Sequence, residues 1–349
     1  MFPITDRPIR FALAGCGRIS ANHFDALAQH AGRAELVAVC DTHPGALEAA
    51  VNRTGTVGFA SLPALLAGSD ADVIVLATPS GLHPQQAIAA ARAGRHVVTE
   101  KPMATKWEEG VEMVRACRDA GVKLFVVKQN RLNATMQRLK RAIDARRFGR
   151  IHMVTVNVFW TRPQSYYADA PWRGRWDLDG GAFMNQASHY VDMVDWLVGP
   201  VDNVHAYTAT QLRDIEAEDS GVMSLRLRGG GMASINVTML THGRNFEGSI
   251  TVLGEHGTVR VGGVAVNRIE HWEFAEPLPE DATALEASYA PPSVYGFGHP
   301  LYYANVIDTL CGQAHAEVDG YEGLRSLEVV IAAYRSARDG VRVGLPLVF

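Results

Sequence analysis

Two stretches of the chain carry side chains able to move a proton or steady a developing negative charge. Lys101 stands between Glu100 and Pro102, just after the apolar run His96 to Thr99. A following proline restricts a residue to extended backbone, which fixes the direction in which the Lys101 ammonium departs. At a strand end facing a ligand, that ammonium can donate to an alkoxide; otherwise it is a solvated surface lysine. In the stretch Gly181 to Val198, Asn185, Ser188, His189 and Asp192 recur at spacings of three and four, hence on one face of a predicted helix. Phe183, Ala187, Tyr190, Val191 and Val194 take the other directions. A polar stripe on an apolar helix is costly to bury unless it lines a wet cleft. His189 is therefore a candidate general base, since a neutral imidazole has the unperturbed pKa nearest physiological pH. The alternative is a core histidine satisfied by Asp192.

A third stretch, Phe159 to Trp176, gathers Trp160, Arg162, Tyr166, Tyr167, Trp172, Arg173, Arg175 and Trp176. Aromatic faces interleaved with guanidinium groups suit a nucleobase together with phosphates or a carboxylate. The same composition serves an oligomer interface or single-stranded nucleic acid. A His and Asp pair can also hold a metal, but no third or fourth ligand is spaced to complete a tetrahedral site, so no metal is expected. The cysteines Cys16, Cys40, Cys117 and Cys311 lie far apart without CxxC spacing, which points to neither a zinc knuckle nor a disulfide framework and fits a reducing cytoplasm.

These residues need elements to position them. Ile9 to Gly17 reads as strand, glycine turn and helix start, with Ile9, Phe11 and Leu13 alternating before Gly15 and Gly17, and a helix from Ser20 to His30. Gly15 allows the tight turn, Gly17 lets backbone N–H groups approach a phosphate, and the helix N-terminus adds positive partial charge, the requirements of a dinucleotide pyrophosphate. The third position of the GxGxxG pattern is Ser20. A second strand, Ala34 to Cys40, ends at Asp41, where an acidic residue meets the adenosine ribose hydroxyls and repels the 2′-phosphate of NADP, so NAD is the expected cofactor. Strands at Val57 to Phe59, Asp72 to Ala77, His96 to Thr99 and Lys123 to Val127 alternate with helices at Pro44 to Arg53, Leu62 to Ala67, His83 to Ala93 and Trp107 to Ala120. Continuous apolar strands alternating with helices predict an α/β doubly wound parallel sheet of the Rossmann type, with ligands at the strand C-terminal ends. The candidate cofactor-binding residues are thus Gly15, Gly17, Arg18, Ile19, Asp41, Thr78, Pro79, His83, Glu100 and Lys101.

Beyond Lys128 the texture changes. A charged helix, Ala134 to Arg147, precedes strands at Ile151 to Trp160, Asn203 to Gln211, Ser220 to Arg228, Gly231 to Leu240, Ser249 to Leu253, Thr258 to Val261 and Arg268 to Phe274, parted by glycine turns. That order predicts an α+β domain with a large, open, mainly antiparallel sheet. Pro277 to Pro292 reads as an acidic surface excursion, and helices at Pro300 to Cys311 and Tyr321 to Arg338 follow. The expected division is a dinucleotide-binding domain over residues 1–128 and a substrate-binding and oligomerisation domain over residues 129–349. With 349 residues, 47% hydrophobic and 20% charged, the chain has material for two cores, and no apolar run approaches a membrane span. The opening residues lack a basic start and apolar core, so no signal peptide is expected. A net charge of -4 disfavours non-specific nucleic-acid binding.

Taken together, Gly15-Cys16-Gly17, Asp41, Glu100-Lys101-Pro102 and the helix from Gly180-Gly181 to His189-Tyr190-Val191-Asp192 resemble the Gfo/Idh/MocA oxidoreductases. Within that family, Lys128 to Asn133, Phe159 to Tyr167 and Met184 to His189 are similar to the bacterial UDP-N-acetylglucosaminuronate 3-dehydrogenases. The resemblance implies NAD-dependent oxidation of the sugar C3 hydroxyl to a 3-keto sugar nucleotide, which a pyridoxal-phosphate aminotransferase then aminates for a surface polysaccharide such as lipopolysaccharide. It implies Lys101, His189 and Asn185 as catalytic residues, and Arg131, Asn133, Arg162, Tyr166, Arg173, Asn185 and His189 as substrate contacts. Many family members carry aspartate where this chain has Asn185, so proton handling falls on His189 and Lys101, with Asp192 holding the imidazole. By analogy a dimer or tetramer is expected. A dehydrogenase of a free polyol or aldose, and a non-catalytic dinucleotide sensor, are the competing readings.

Overall fold

The structure, a computed structural model, describes residues 3–290 and 296–347. It divides into two compact units, residues 1–128 with 299–324, and residues 129–298 with 325–349.

The first unit opens with β1 (Ile9–Ala14), α1 (Ser20–Ala28), β2 (Ala34–Cys40), α2 (Pro44–Thr54), β3 (Val57–Phe59) and α3 (Leu62–Gly68). It continues with β4 (Val73–Leu76), α4 (His83–Arg92), β5 (His96–Thr99), α5 (Trp107–Asp119) and β6 (Leu124–Val126). The six strands pair in the order β3-β2-β1-β4-β5-β6, every pair parallel. Both faces are covered, and β4 and β5 are buried throughout, which is why they read as unbroken apolar runs. The strand order reverses between β1 and β4, the place where a doubly wound sheet leaves a crevice at its strand ends. The predicted strand Asp72 to Ala77 is shorter because the Asp72 carboxylate turns to Arg7 and to the Arg10 N–H. Local signals set the helix ends: the His43 side chain caps α2 by accepting from Ala46 N, and Gly55 closes it in the left-handed region at φ 68.

The second unit holds α6 (Ala134–Asp144), β7 (Ile151–Phe159), α7 (Gln164–Ala168), α8 (Ser188–Val198), β8 (Val201–Ala209), β9 (Ser220–Leu227), β10 (Met232–Thr238), β11 (Glu247–Gly254), β12 (Gly257–Gly262) and β13 (Arg268–Phe274). The chain returns to the first unit with α9 (Gly298–Leu310) and the start of α10 (Gly320–Asp339), and in the second unit β14 (Val343–Gly344) adds an edge strand that the sequence did not signal. The sheet runs β13-β12-β11-β7-β10-β9-β8-β14, antiparallel except where β7 and β10 pair in parallel. Alternation sorts its faces: Val154, Val156, Val158, Ala233, Ile235 and Val237 are buried, whereas Met153, Met232, Val222 and Tyr207 share the opposite, exposed face. The acidic excursion is a run of tight turns over Pro279–Ala287; residues 291–292 of the predicted stretch lie outside the described residues.

One expected element is replaced. The single helix from Gly181 to Val198 is a π-type turn over Ala182–Gln186 followed by α8, with Ala187 N donating to Ala182 O at 2.8 Å. The cause lies outside the segment. Ala182 N donates to the Glu218 carbonyl, Phe183 N donates to Glu218 Oε1 at 2.8 Å, and Met184 N donates to the Tyr334 hydroxyl at 3.2 Å. A Cβ on Gly181 would collide with the Glu218 carboxylate, so only glycine lets the chain pass. The extra residue in the turn rotates Asn185 relative to His189, so the expected single stripe is broken after Asn185.

Burial pushes the Glu218 carboxyl up to about 7, partly offset by the hydrogen bonds from Phe183 and Tyr334 and reinforced by Asp179. A carboxyl raised in the folded state keeps a proton that the unfolded chain has released above its usual 4.5, so its contribution favours folding at low pH and is lost as pH rises through about 7. Glu218→Gln keeps an acceptor for Phe183 N and Tyr334 while removing the charge. It is expected to unfold at higher temperature than the wild type at pH 8, by the equivalent of about 1–3 kcal/mol, and to lose that advantage at pH 5. Thermal melts of both proteins at the two pH values check this; a pH-independent difference would contradict it.

Candidate active site

The glycine turn of the first unit is built by close approach. Gly15 has φ 98, and a Cβ there would lie 2.5 Å from the Ala77 carbonyl carbon, so the loop after β1 crosses the end of β4 only with glycine. Gly17 is exposed, and a Cβ on it would meet no protein atom within 4 Å. Ser20 Oγ donates to Gly17 O at 2.7 Å and ties the turn to the start of α1, whose N-terminus points its free N–H groups along the loop. Arg18 is exposed and Ile19 half-buried beside it.

Asp41 does more than its position after β2 promised. Its Oδ2 accepts from Cys16 N at 2.7 Å and its Oδ1 from His43 N at 2.7 Å, so one carboxylate ties the glycine turn to the second strand end. Each oxygen keeps a further lone pair for a ribose hydroxyl.

At the ends of β4 and β5, Thr78 Oγ1 donates to Gln86 Oε1 at 2.6 Å and Pro79 is half-buried. His83 is 1% exposed, with Nε2 2.8 Å from Thr78 O and Nδ1 3.0 Å from Pro102 O. Both ring nitrogens therefore face protein carbonyls, and a neutral His83 donates its one N–H to either Thr78 O or Pro102 O. Burial pushes its imidazole pKa down, against the pull of those carbonyls. Lys101 is half-buried, and the Lys101–Pro102 peptide is cis. Lys101 N donates to Glu100 Oε2 at 3.1 Å.

In the second unit His189 is 7% exposed at the start of α8, and its Nε2 lies 3.3 Å from Gln129 Nε2. The Gln129 amide therefore faces the imidazole, donating to Nε2 in one orientation and accepting from it in the other. Asn185 Nδ2 donates to Asp179 Oδ1, whose Oδ2 accepts from Gly174 N at 2.9 Å. Ser188 Oγ donates to Asn185 O at 3.1 Å.

Asp192, the expected support of the imidazole, accepts from Arg131 with both oxygens, Nε to Oδ2 and Nη2 to Oδ1, each at 2.8 Å. Arg131 is 5% exposed and also lies over the Trp196 ring, with Cζ 5.6 Å from its centroid. A forked pair of this kind removes two charges from water together and gives the guanidinium a structural task besides any substrate contact. Asn133 is buried beside Gly296, where a Cβ would approach its Oδ1 to 2.6 Å.

The aromatic and arginine stretch folds around Tyr166. The guanidinium carbons of Arg162 and Arg173 lie 5.4 and 4.2 Å from its ring centroid, and Arg162 also lies 5.3 Å from Trp160. Arg173 Nη1 donates to Tyr166 O at 2.5 Å, whereas Arg175 pairs with Asp177 at the surface. Arg173 and Arg175 line a depression with Gln164, Tyr167, Asp214 and Glu216, and neither Asn185 nor His189 borders it.

Sequence reasoning missed Gln129, Asp179 and Glu218 as neighbours of the proposed chemistry, and their separation from it along the chain gave no spacing signal. It also missed a cluster in the first unit. His23, Glu100 and His299 bring Nε2, Oε1 and Nε2 to within 4.8 Å of one another, the one group among the described residues able to hold a metal ion.

Comparison with known proteins places this geometry. A profile described as the NAD-binding Rossmann fold of the oxidoreductase family matches residues 9–128, and one described as the C-terminal alpha/beta domain of that family matches residues 140–345. The WlbA dehydrogenase of Bordetella pertussis, solved in complex with NADH and UDP-GlcNAcA, is 68% identical, with a TM-score of 0.97 over 99% of this chain and 100% of that one. The WlbA protein of Chromobacterium violaceum, solved with the same two ligands, is 64% identical, with a TM-score of 0.96 over 100% of this chain and 99% of that one. Inositol 2-dehydrogenase of Rhizobium meliloti is 29% identical over 97% of this chain and 99% of its own. The chain belongs to the Gfo/Idh/MocA oxidoreductase family.

Proposed function

We propose that this protein is an NAD-dependent sugar-nucleotide dehydrogenase that oxidises the C3 hydroxyl of UDP-N-acetylglucosaminuronic acid to the 3-keto sugar nucleotide. The observation that carries the reading is the likeness, end to end, to two dehydrogenases solved with NADH and UDP-GlcNAcA at 68% and 64% identity. The first unit fits the cofactor on its own evidence: a turn that only glycine can make at position 15, an exposed Gly17, and Asp41 at the end of β2. A free polyol would leave the arginine and tyrosine stack around Tyr166 without a purpose, and a sensor would have no use for Lys101 and His189.

Bound NAD accepts a hydride from C3, and the chain supplies proton handling, position and field. His189 in its neutral form offers a ring nitrogen as the acceptor for the C3 hydroxyl proton once the Gln129 amide gives way to the substrate. Lys101 donates to the developing alkoxide and stabilises its charge. Asn185, its amide nitrogen fixed by Asp179, presents its oxygen for orienting a sugar hydroxyl. Arg162 and Arg173 supply cations for the diphosphate or carboxylate, with Tyr166 as the aromatic face; Arg131 and Asn133 complete the proposed contacts.

The product is a ketone on a sugar nucleotide, a substrate for a pyridoxal-phosphate aminotransferase serving a surface polysaccharide, and cytoplasmic work of this kind suits a chain whose described helices include none long and apolar enough to cross a membrane. We assign a homo-oligomer to the exposed sheet face bearing Met153, Met232, Val222 and Tyr207, because these exposed large apolar side chains are favourably covered by a second copy.

Three measurements test these assignments. Lys101→Met and His189→Asn are each expected to lower kcat by about 10²- to 10⁴-fold while leaving NAD affinity unchanged; near wild-type turnover in either would remove its role. UDP-N-acetylglucosamine and free N-acetylglucosaminuronate are expected to fall below the UDP-sugar acid in kcat/KM by roughly 10² or more, because each lacks an anion that the half-buried Arg162 and Arg173 would otherwise meet with charge-assisted hydrogen bonds. Equal values for all three would return the function to the polyol-dehydrogenase reading. Val222→Asp with Met232→Asp is expected to lower the oligomer mass in light scattering, and an unchanged mass would clear the sheet face of that role.

A further inference from the structure

Glu100 is a buried carboxylate that hydride transfer does not require. It is 6% exposed, at the end of β5; Oε2 accepts a hydrogen bond, whereas Oε1 is buried against two imidazoles without a well-formed one. Oε1 lies 3.2 Å from His23 Nε2 and 3.7 Å from His299 Nε2, and these imidazoles are 0% and 3% exposed. His23 is itself held, with Nδ1 2.8 Å from the Tyr303 hydroxyl and its ring edge-on to His299 at 5.5 Å. Burial pushes the Glu100 carboxyl up, and the two imidazoles more than offset it, so it stays ionised well below the usual carboxylate range. Oε2 turns the other way and accepts the Lys101 N–H at 3.1 Å.

We propose that His23, Glu100 and His299 form a positioning device for Lys101. The two imidazoles pack against one carboxylate oxygen, the other accepts the Lys101 N–H, and His83 lies against the Pro102 carbonyl. Three elements, α1, β5 and α9, thereby converge on the peptide from which the ammonium departs. A buried carboxylate is costly to desolvate, and a peptide N–H would serve a water as well. What the cluster adds is a fixed direction: a misplacement of about 1 Å in a group that contacts the reacting atoms costs roughly 10²-fold in rate. The inference rests on the reading of Lys101 as catalytic. It makes Glu100 a positioning residue that acts through Lys101.

The test uses the full chain with Glu100→Ala, Glu100→Gln and His299→Gln. Four properties are measured: melting temperature, NAD affinity, kcat and KM for UDP-N-acetylglucosaminuronate, and the acylation rate of Lys101 by a small reagent, with Lys123 as internal reference. Glu100→Ala is expected to lower kcat about 10²-fold with KM and NAD affinity within about 3-fold, and to change Lys101 labelling by more than about 3-fold relative to Lys123. Glu100→Gln, which keeps the volume and an acceptor for the Lys101 N–H, is expected to recover kcat to within about 10-fold of wild type. If Glu100→Ala does not fold, His299→Gln must show the same selective loss of kcat. Wild-type kcat and labelling in folded variants would overturn the proposal, as would an equimolar divalent metal copurifying with the protein, since the ion would then separate the carboxylate from the imidazoles. The labelling involves no substrate, so it decides the positioning role even if UDP-N-acetylglucosaminuronate proves not to be turned over.

Discussion

A carboxyl group removed from water must be given hydrogen-bond donors, and in this protein several find them in irregular loops, among them those to which we assign the chemistry. Asp41 takes the N–H groups of Cys16 and His43, and so joins the glycine turn to the second strand. Glu100 takes the N–H of Lys101. Glu218 takes the N–H of Phe183 at the start of the π-type turn, and Asp179 takes both Gly174 N and the Asn185 amide. Asp219 does the same for a loop away from these residues, accepting from the backbone of Gln211, Leu212 and Arg213. Irregular backbone has no helix or sheet ladder to hold it, so each of these segments is held by a carboxyl group that in turn gains hydrogen-bond donors.

The two units use this device for different ends. In the first, parallel strands bring several chain ends to one edge of the sheet, and the carboxylates and His83 cross-link those ends. The result is a rigid rim in which Gly15, Asp41 and the Lys101–Pro102 peptide keep fixed places. In the second, a largely antiparallel sheet buries one face and leaves the other, of mixed polarity, open, while the segment over Gly180–Ala187 is shaped by Glu218, Asp179 and Tyr334. A π-type turn spends one more residue than an α-turn, and here that residue re-aims Asn185 just before the helix that carries His189.

The ion pair of Arg131 with Asp192 shows how burial changes a reading. An arginine in a sequence similar to sugar-nucleotide dehydrogenases suggests an anion-binding cation, yet here the guanidinium already holds a carboxylate through two parallel bonds and covers Trp196. Arg162 and Arg173 lie around a tyrosine ring, and Arg173 spends one donor on a backbone carbonyl. Their positive charge is better placed to meet a ligand than that of Arg131, because no carboxylate opposes it in the contacts they make.

The sequence alone determined the succession of strands and helices, because that succession follows from local apolar periodicity and from glycine and proline punctuation. Ala34 to Cys40, Val57 to Phe59, His96 to Thr99 and Arg268 to Phe274 begin and end where the pattern does. It determined the glycine turn and the strand-end position of Asp41 and of Lys101 for the same reason. Only the tertiary structure decided which distant residues meet. His23 and His299 reach Glu100 from different helices, Gln129 reaches His189, Arg131 reaches Asp192, and β10 pairs in parallel with β7. The break in the Gly181 to Val198 helix belongs with these, since its cause is Glu218 and Tyr334, residues that helical spacing within the segment cannot register. Periodicity records which face of an element is buried, whereas the identity of the buried partner is a property of the packed chain.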